Sequence, residues 1–113
     1  METYRISVDA EKKHCLVEVK TSFRLYRNDP QSFEMLAKLA ARIFRETKLE
    51  PNLSLLSDKT LHLSSRQKLS KKALLRKVEI ATAIIKEIYG IPNAPVKFSK
   101  DFFRRTTCTF LQE

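Results

Sequence analysis

Glycine is nearly missing from this chain: the 113 residues contain one, Gly90. That excludes a glycine-rich loop of the kind that cradles nucleotide phosphates, and it argues against flexible low-complexity linkers. Tryptophan is absent, and the soft metal ligands are two cysteines, Cys15 and Cys108, and two histidines, His14 and His62. No CxxC pair occurs, so a structural zinc site is not expected, and buried free thiols are the ordinary role for such cysteines. His14 and Cys15 are neighbours in an expected strand and would point to opposite faces, which rules out a nucleophile and base pair. No run of roughly 18 to 20 apolar residues is present to span a bilayer. The opening Met1, Glu2, Thr3 and Tyr4 lacks the basic-then-apolar order of a signal peptide. A cytoplasmic protein with no membrane partner is expected. Acid is also in short supply, with 13 Asp and Glu against 22 Lys and Arg, for a net charge of +9. Such an excess favours polyanionic partners.

What is present is enough for one folded α+β domain over 1–113. Hydrophobic residues make up 42% of the chain, too many for a disordered chain. The clearest element is a helix over about 65 to 89. Leu74, Val78, Ala81, Ile85 and Ile88 recur with a period near 3.6, widened by Ala73, Ile80 and Ile84. Gly90, Ile91 and Pro92 supply its stop: a residue free to turn left-handed, an apolar residue to pack back, and a proline that cannot continue. A second helix is expected over about 30 to 48. Asp29 is its cap, Pro30 its first residue, and Phe33, Leu36, Ala40, Ile43 and Phe44 its inner face, with Ala37 and Leu39 at the edge.

Alternation marks strands at 3–9 and 14–26. With a turn over 10–13, Asp9 would face His14, Ile6 would face Val17, and Arg5 would face Glu18, which brings both apolar sets to one face. Leu53, Leu55 and Leu56 are expected to pair with 60–64, where His62 has the exposed parity. Val96 to Ser99 reads as a strand. The tail over 102–111 is either one strand or a helical turn followed by a strand. The expected fold is therefore an antiparallel sheet, made of the N-terminal hairpin plus C-terminal strands, packed against two main amphipathic helices.

The candidate binding residues lie opposite the apolar stripes. Arg66, Lys68, Lys71, Lys72, Arg76 and Lys77 form a run of cations without an intervening acid, and Lys68, Lys72 and Arg76 follow at i, i+4 and i+8. Like charges at this spacing repel, and cations near a helix N-terminus oppose its dipole. A docked anion would relieve both penalties; a solvated basic face is the plain alternative. Lys38, Arg42 and Arg45 form a second ridge. Arg104 and Arg105 alternate with Phe102 and Phe103, the mixture used to stack bases and hold phosphates, although two core phenylalanines beside a solvated arginine pair would read the same. The leading expectation is a small, non-catalytic protein binding DNA or RNA, with no cofactor and no metal.

Two other classes compete. Asp9 followed by Glu18, Val19 and Lys20 resembles the acidic-x-lysine element of the PD-(D/E)xK nuclease superfamily, a resemblance confined to this hairpin. It implies a divalent metal held by Asp9 and Glu18 on adjacent strands, with Lys20 assisting an attacking water. In the expected register Asp9 lies four pairs from Glu18, about 13 Å at ~3.3 Å per residue, too far to share a metal. Arg5 would instead form a cross-strand ion pair with Glu18. The remaining class is an interaction module, such as a viral, plasmid or accessory subunit, that homodimerises or binds another protein. Exposure of surplus apolar residues such as Met35, Leu75 and Tyr89 would mark it.

Overall fold

The structure, a computed structural model, describes residues 6–10, 16–53, 59–65, 69–91, 96–98 and 107–108. It is α+β. β1 (Ile6–Ala10) and β2 (Leu16–Thr21) precede α1 (Pro30–Thr47). β3 (Glu50–Pro51), β4 (Thr60–Ser64) and β5 (Leu69–Ser70) lead to α2 (Lys71–Tyr89), followed by β6 (Val96–Phe98) and β7 (Thr107–Cys108). The main sheet has the order β3-β4-β2-β1-β6; β5 and β7 form a separate two-stranded ladder. All its neighbours are antiparallel except β1 and β6, which run parallel.

Alternation sets the face of the central strands. Val17 and Val19 of β2, with Leu61 and Leu63 of β4, are buried, while Glu18, Lys20, Thr60 and His62 take the other parity. The buried row joins Leu36, Leu39 and Ile43 of α1 and Leu74, Val78, Ala81, Ile84 and Ile85 of α2 in one cluster. Each such leucine, isoleucine or valine removed from water contributes roughly 1.5 to 3 kcal/mol.

The helix ends follow from capping chemistry. Asp29 accepts from the Ser32 amide at 2.7 Å, and Pro30 opens α1, where its missing N–H costs no helical bond. Lys48 closes α1 in the left-handed region at φ 63°, its N–H bonded to the Phe44 carbonyl. Gly90 closes α2 at φ 67°, and the Ile91 amide donates to the Lys86 carbonyl at 2.8 Å, so Ile91 folds back against the core as its position after the glycine implied.

Several expectations are corrected. The hairpin register is shifted by four residues: Ile6 faces Thr21, Val8 faces Val19 and Asp9 faces Glu18. An even shift preserves the parity of every residue, so the apolar alternation fits both registers. β2 ends at Thr21, where the Thr21 hydroxyl donates to the carbonyls of Phe23 and Lys59 and turns the chain out of the ladder. The partner of β4 on its outer side is Glu50–Pro51; Leu53 lies in a helical turn, and 54–58 are outside the described residues. α2 starts at Lys71 because the Ser70 hydroxyl caps the Ala73 amide and Leu69–Ser70 pair with β7. The inner stripe of α1 is centred on Leu36, Leu39 and Ile43; Phe33 and Phe44 are exposed, as is Ile80 of α2. Thr82 is buried in their stead, its hydroxyl satisfied by the Glu79 carbonyl at 2.9 Å.

Candidate nucleic-acid interface

Antiparallel packing of the helices decides which cations meet. The Lys77 ammonium donates to the Thr47 carbonyl at 2.5 Å, and Arg42 reaches Glu87 at 2.8 Å. The end of α1 therefore lies beside the start of α2. That juxtaposition sets the last turn of α1, which carries Arg45, at the same end of the helical layer as the first turns of α2, which carry Lys71, Lys72 and Arg76; the Lys48 ammonium lies over the Phe44 ring, 5.5 Å from its centre. Lys72, Arg76, Arg45 and Lys48 are exposed, and Lys71 is half-buried. Neither the first turn of α1 nor that of α2 holds an acid, so the positive dipole end of α2 and its cations act in the same direction. Glu79, exposed and three residues beyond Arg76, is the nearest carboxylate in sequence on α2.

The other cations expected at this surface divide. Lys77 fixes the C-terminal carbonyl end of α1 and is a structural contact. Arg42 is held by Glu46 at 2.9 Å and by Glu87; Glu87, then Glu46, raises its pKa further above the usual guanidinium value. Lys38 pairs with Glu34 at 3.6 Å on the same helix. The second ridge thus keeps Arg45 as its exposed, outward cation. Arg66, Lys68, Arg104 and Arg105, with Phe102 and Phe103, lie outside the described residues, and the described part of α2 begins after Lys68. The ridge expected at Lys68, Lys72 and Arg76 is therefore reduced on the helix to Lys72 and Arg76.

The Arg42 bridge carries a pH prediction. Its hydrogen bond and charge hold the Glu87 carboxyl below the ordinary carboxylate pKa of 4.5. A depressed folded-state pKa contributes stability above the unfolded value and loses it as pH falls through the folded value. Glu87→Gln should therefore lower the melting temperature slightly at neutral pH, as an exposed pair does. The difference from the parent should vanish on acidification below 4.5; a difference that persists at low pH would show that the bridge is not its source.

The opposite end of the helix pair holds a surface cavity of about 300 Å³ lined by Arg24, Arg27, Asp29, Gln31, Met35 and Tyr89. The Asp29 carboxylate is committed to capping α1, and the Tyr89 hydroxyl donates to the Leu25 carbonyl at 2.7 Å. Burial pushes the Tyr89 phenol pKa up. Arg24, Arg27 and Lys48 were not anticipated as site residues, because no periodic pattern marks them. Lys48 is recognisable only once α1 ends on it.

On the sheet face away from the helices, the corrected register changes the acidic motif. Asp9 is directly opposite Glu18, and His62 occupies the opposing position on β4. The four-pair separation expected from sequence does not exist. Glu18 meets Lys20 at 3.6 Å. His62 is half-buried, not exposed, and its Nδ1 is buried with no hydrogen-bond partner among the described residues. Among those residues there is no group of three His, Cys, Asp or Glu side chains able to hold a metal ion.

No protein-family model, curated protein or solved structure compared with the chain matches it. The fold defines an α+β protein with a mixed five-stranded sheet, and no helix among the described residues is long and apolar enough to cross a membrane.

Proposed function

We propose that this protein binds nucleic acid without catalysing a reaction on it, holding phosphates at the end where α1 finishes and α2 begins. One observation carries the reading: antiparallel packing, set by the Lys77 contact to Thr47, brings the exposed Arg45 of the last turn of α1 to the same end as the exposed Lys72 and Arg76. Phosphate contacts made by such side chains position a strand without reading its bases, so binding would be tolerant of sequence and steeply dependent on salt. The supporting charge is global as well as local, since the whole chain carries +9.

Fluorescence anisotropy with labelled single-stranded and duplex DNA and RNA, titrated at several salt concentrations, tests this. The expected outcome is binding with log K falling linearly in log salt by ~0.9 per phosphate neutralised on duplex DNA, or ~0.7 on a single strand. Absence of binding at low salt rejects the reading. The interaction-module alternative retains one specific observation, the exposed aromatic flank of α1.

A further inference from the structure

The four large apolar side chains exposed on the helices are Phe33, at 51% of its full accessibility, Phe44 at 43%, Met35 at 41% and Ile80 at 36%. None belongs to the core cluster or to the partly buried residues packed on it. Phe33 and Phe44 are not scattered. With Ala37 and Ala40 they follow at i, i+4, i+7 and i+11, and at 3.6 residues per turn the four fall within about 60° of the helix circumference. This strip lies roughly a quarter turn from the buried line of Leu36, Leu39 and Ile43. It is on the flank opposite Arg42, the residue that bridges to α2. It therefore borders the helical layer on the side away from its partner helix. Of the expected exposure markers, Met35 is exposed, whereas Leu75 and Tyr89 pack against the core.

The spacing is symmetric about the middle of α1, between Lys38 and Leu39. Reversing the helix exchanges Phe33 with Phe44 and Ala37 with Ala40. We infer that a second copy of this chain covers the strip, with two α1 helices packed antiparallel across a two-fold axis. In an isologous contact residue i meets residue j and j meets i, so each Phe33 would lie against the Phe44 of the other copy. The paired alanines at the centre would let the helix axes approach at the close end of the usual 8 to 10 Å range. Charge follows the same symmetry. Glu34 and Arg45 lie along the outer edge of the strip near opposite ends, so reversal brings the Glu34 of one copy, which pairs with its own Lys38 at 3.6 Å, near the Arg45 of the other. Arg45 would then be shared between that carboxylate and the phosphate surface it forms with Lys72 and Arg76. An exposed aromatic pair around small residues, with complementary charges at its rim, is the composition of an interface centre.

Sedimentation or light scattering of the full chain, without nucleic acid, tests this separately from the binding proposal. The expected mass is twice 13.2 kDa at high concentration, falling to one chain on dilution. Phe33→Glu with Phe44→Glu should weaken association by at least ~100-fold, since each dimer loses four aromatic anchors. Circular dichroism should stay that of the parent, because both positions are solvent-exposed. Should that variant fold poorly, a charge exchange decides: Glu34→Arg and Arg45→Glu each weaken association, and the two together restore it. A chain that remains monomeric at every concentration overturns the inference. So does a dimer indifferent to the phenylalanine pair, or a charge exchange whose double variant is as weak as its singles.

Discussion

Leu39→Ala should destabilise the protein by about 2 to 5 kcal/mol, while Phe44→Ala should cost less than about 1 kcal/mol, although phenylalanine is the larger side chain. Leu39 has no exposed surface, whereas Phe44 keeps 43% of its own. Truncating the leucine leaves a cavity between α1, the sheet and α2. Truncating the phenylalanine removes a surface that water already reaches, along with the Lys48 ammonium seated 5.5 Å from its ring centre. Urea denaturation should be followed at a chain concentration low enough to keep the protein monomeric, since association would otherwise add to the apparent value of Phe44. Equal losses at the two positions would mean that α1 is rotated from the orientation described here. A large loss at Phe44 alone would restore the inner face expected from sequence.

That contrast separates what local sequence patterns determine in this fold from what tertiary packing decides. Helix ends were legible because capping is local: Asp29 and Pro30 start α1, and Gly90 stops α2, through bonds that span five residues or fewer. Helix rotation was not legible in the same way. The apolar arc of α1 runs from Leu39 through Leu36 to Phe33 and Phe44, wider than one packing surface can bury, and hydrophobicity alone does not say where its centre lies. The neighbours that select Leu36, Leu39 and Ile43 are Val17, Val19, Leu61 and Leu63, which are far away in sequence. On α2 the apolar arc, with Ile80 and Ile84 included, is as wide, but the line with the 3.6-residue period, Leu74, Val78, Ala81 and Ile85, is also the buried one.

Strand register failed for a related reason. Alternation repeats every two residues, so a slip of four leaves every side chain on the face it had. Only the length of the connection distinguishes the two pairings, and that length depends on turn geometry that 11–15 do not reveal by composition. The slip has a chemical consequence, since it removes the distance argument against Asp9 and Glu18 sharing a ligand. β5 was missed because a two-residue strand has no period to detect, yet its pairing with β7 is what holds back the start of α2 to Lys71. The basic run was legible as a run; its division was not. Nothing local marks Lys77 as the residue that will reach Thr47, or Arg42 as the one that will meet Glu87.

Reversing Lys72 and Arg76 together to glutamate should abolish nucleic-acid binding at physiological salt while leaving the fold as stable as before. Both residues are exposed on the outward face of α2, within its first two turns. Glutamate near a helix N-terminus is favoured by the dipole by roughly 0.3 to 1 kcal/mol, where lysine and arginine are disfavoured. Loss of binding could not then be assigned to unfolding. If each cation neutralises one phosphate of duplex DNA, the salt slope should fall by about 1.8, twice ~0.9. Neutral replacement by glutamine should show most of that change in slope, and glutamate should add repulsion on top of it. Lys77→Met is the contrasting variant: its cation serves Thr47, so stability should drop by about 1 to 3 kcal/mol with the salt slope unchanged. A Lys72 and Arg76 double variant with the parent's slope would move the phosphate site away from α2 altogether. A changed slope in Lys77→Met would show that the helix junction itself is part of the contact.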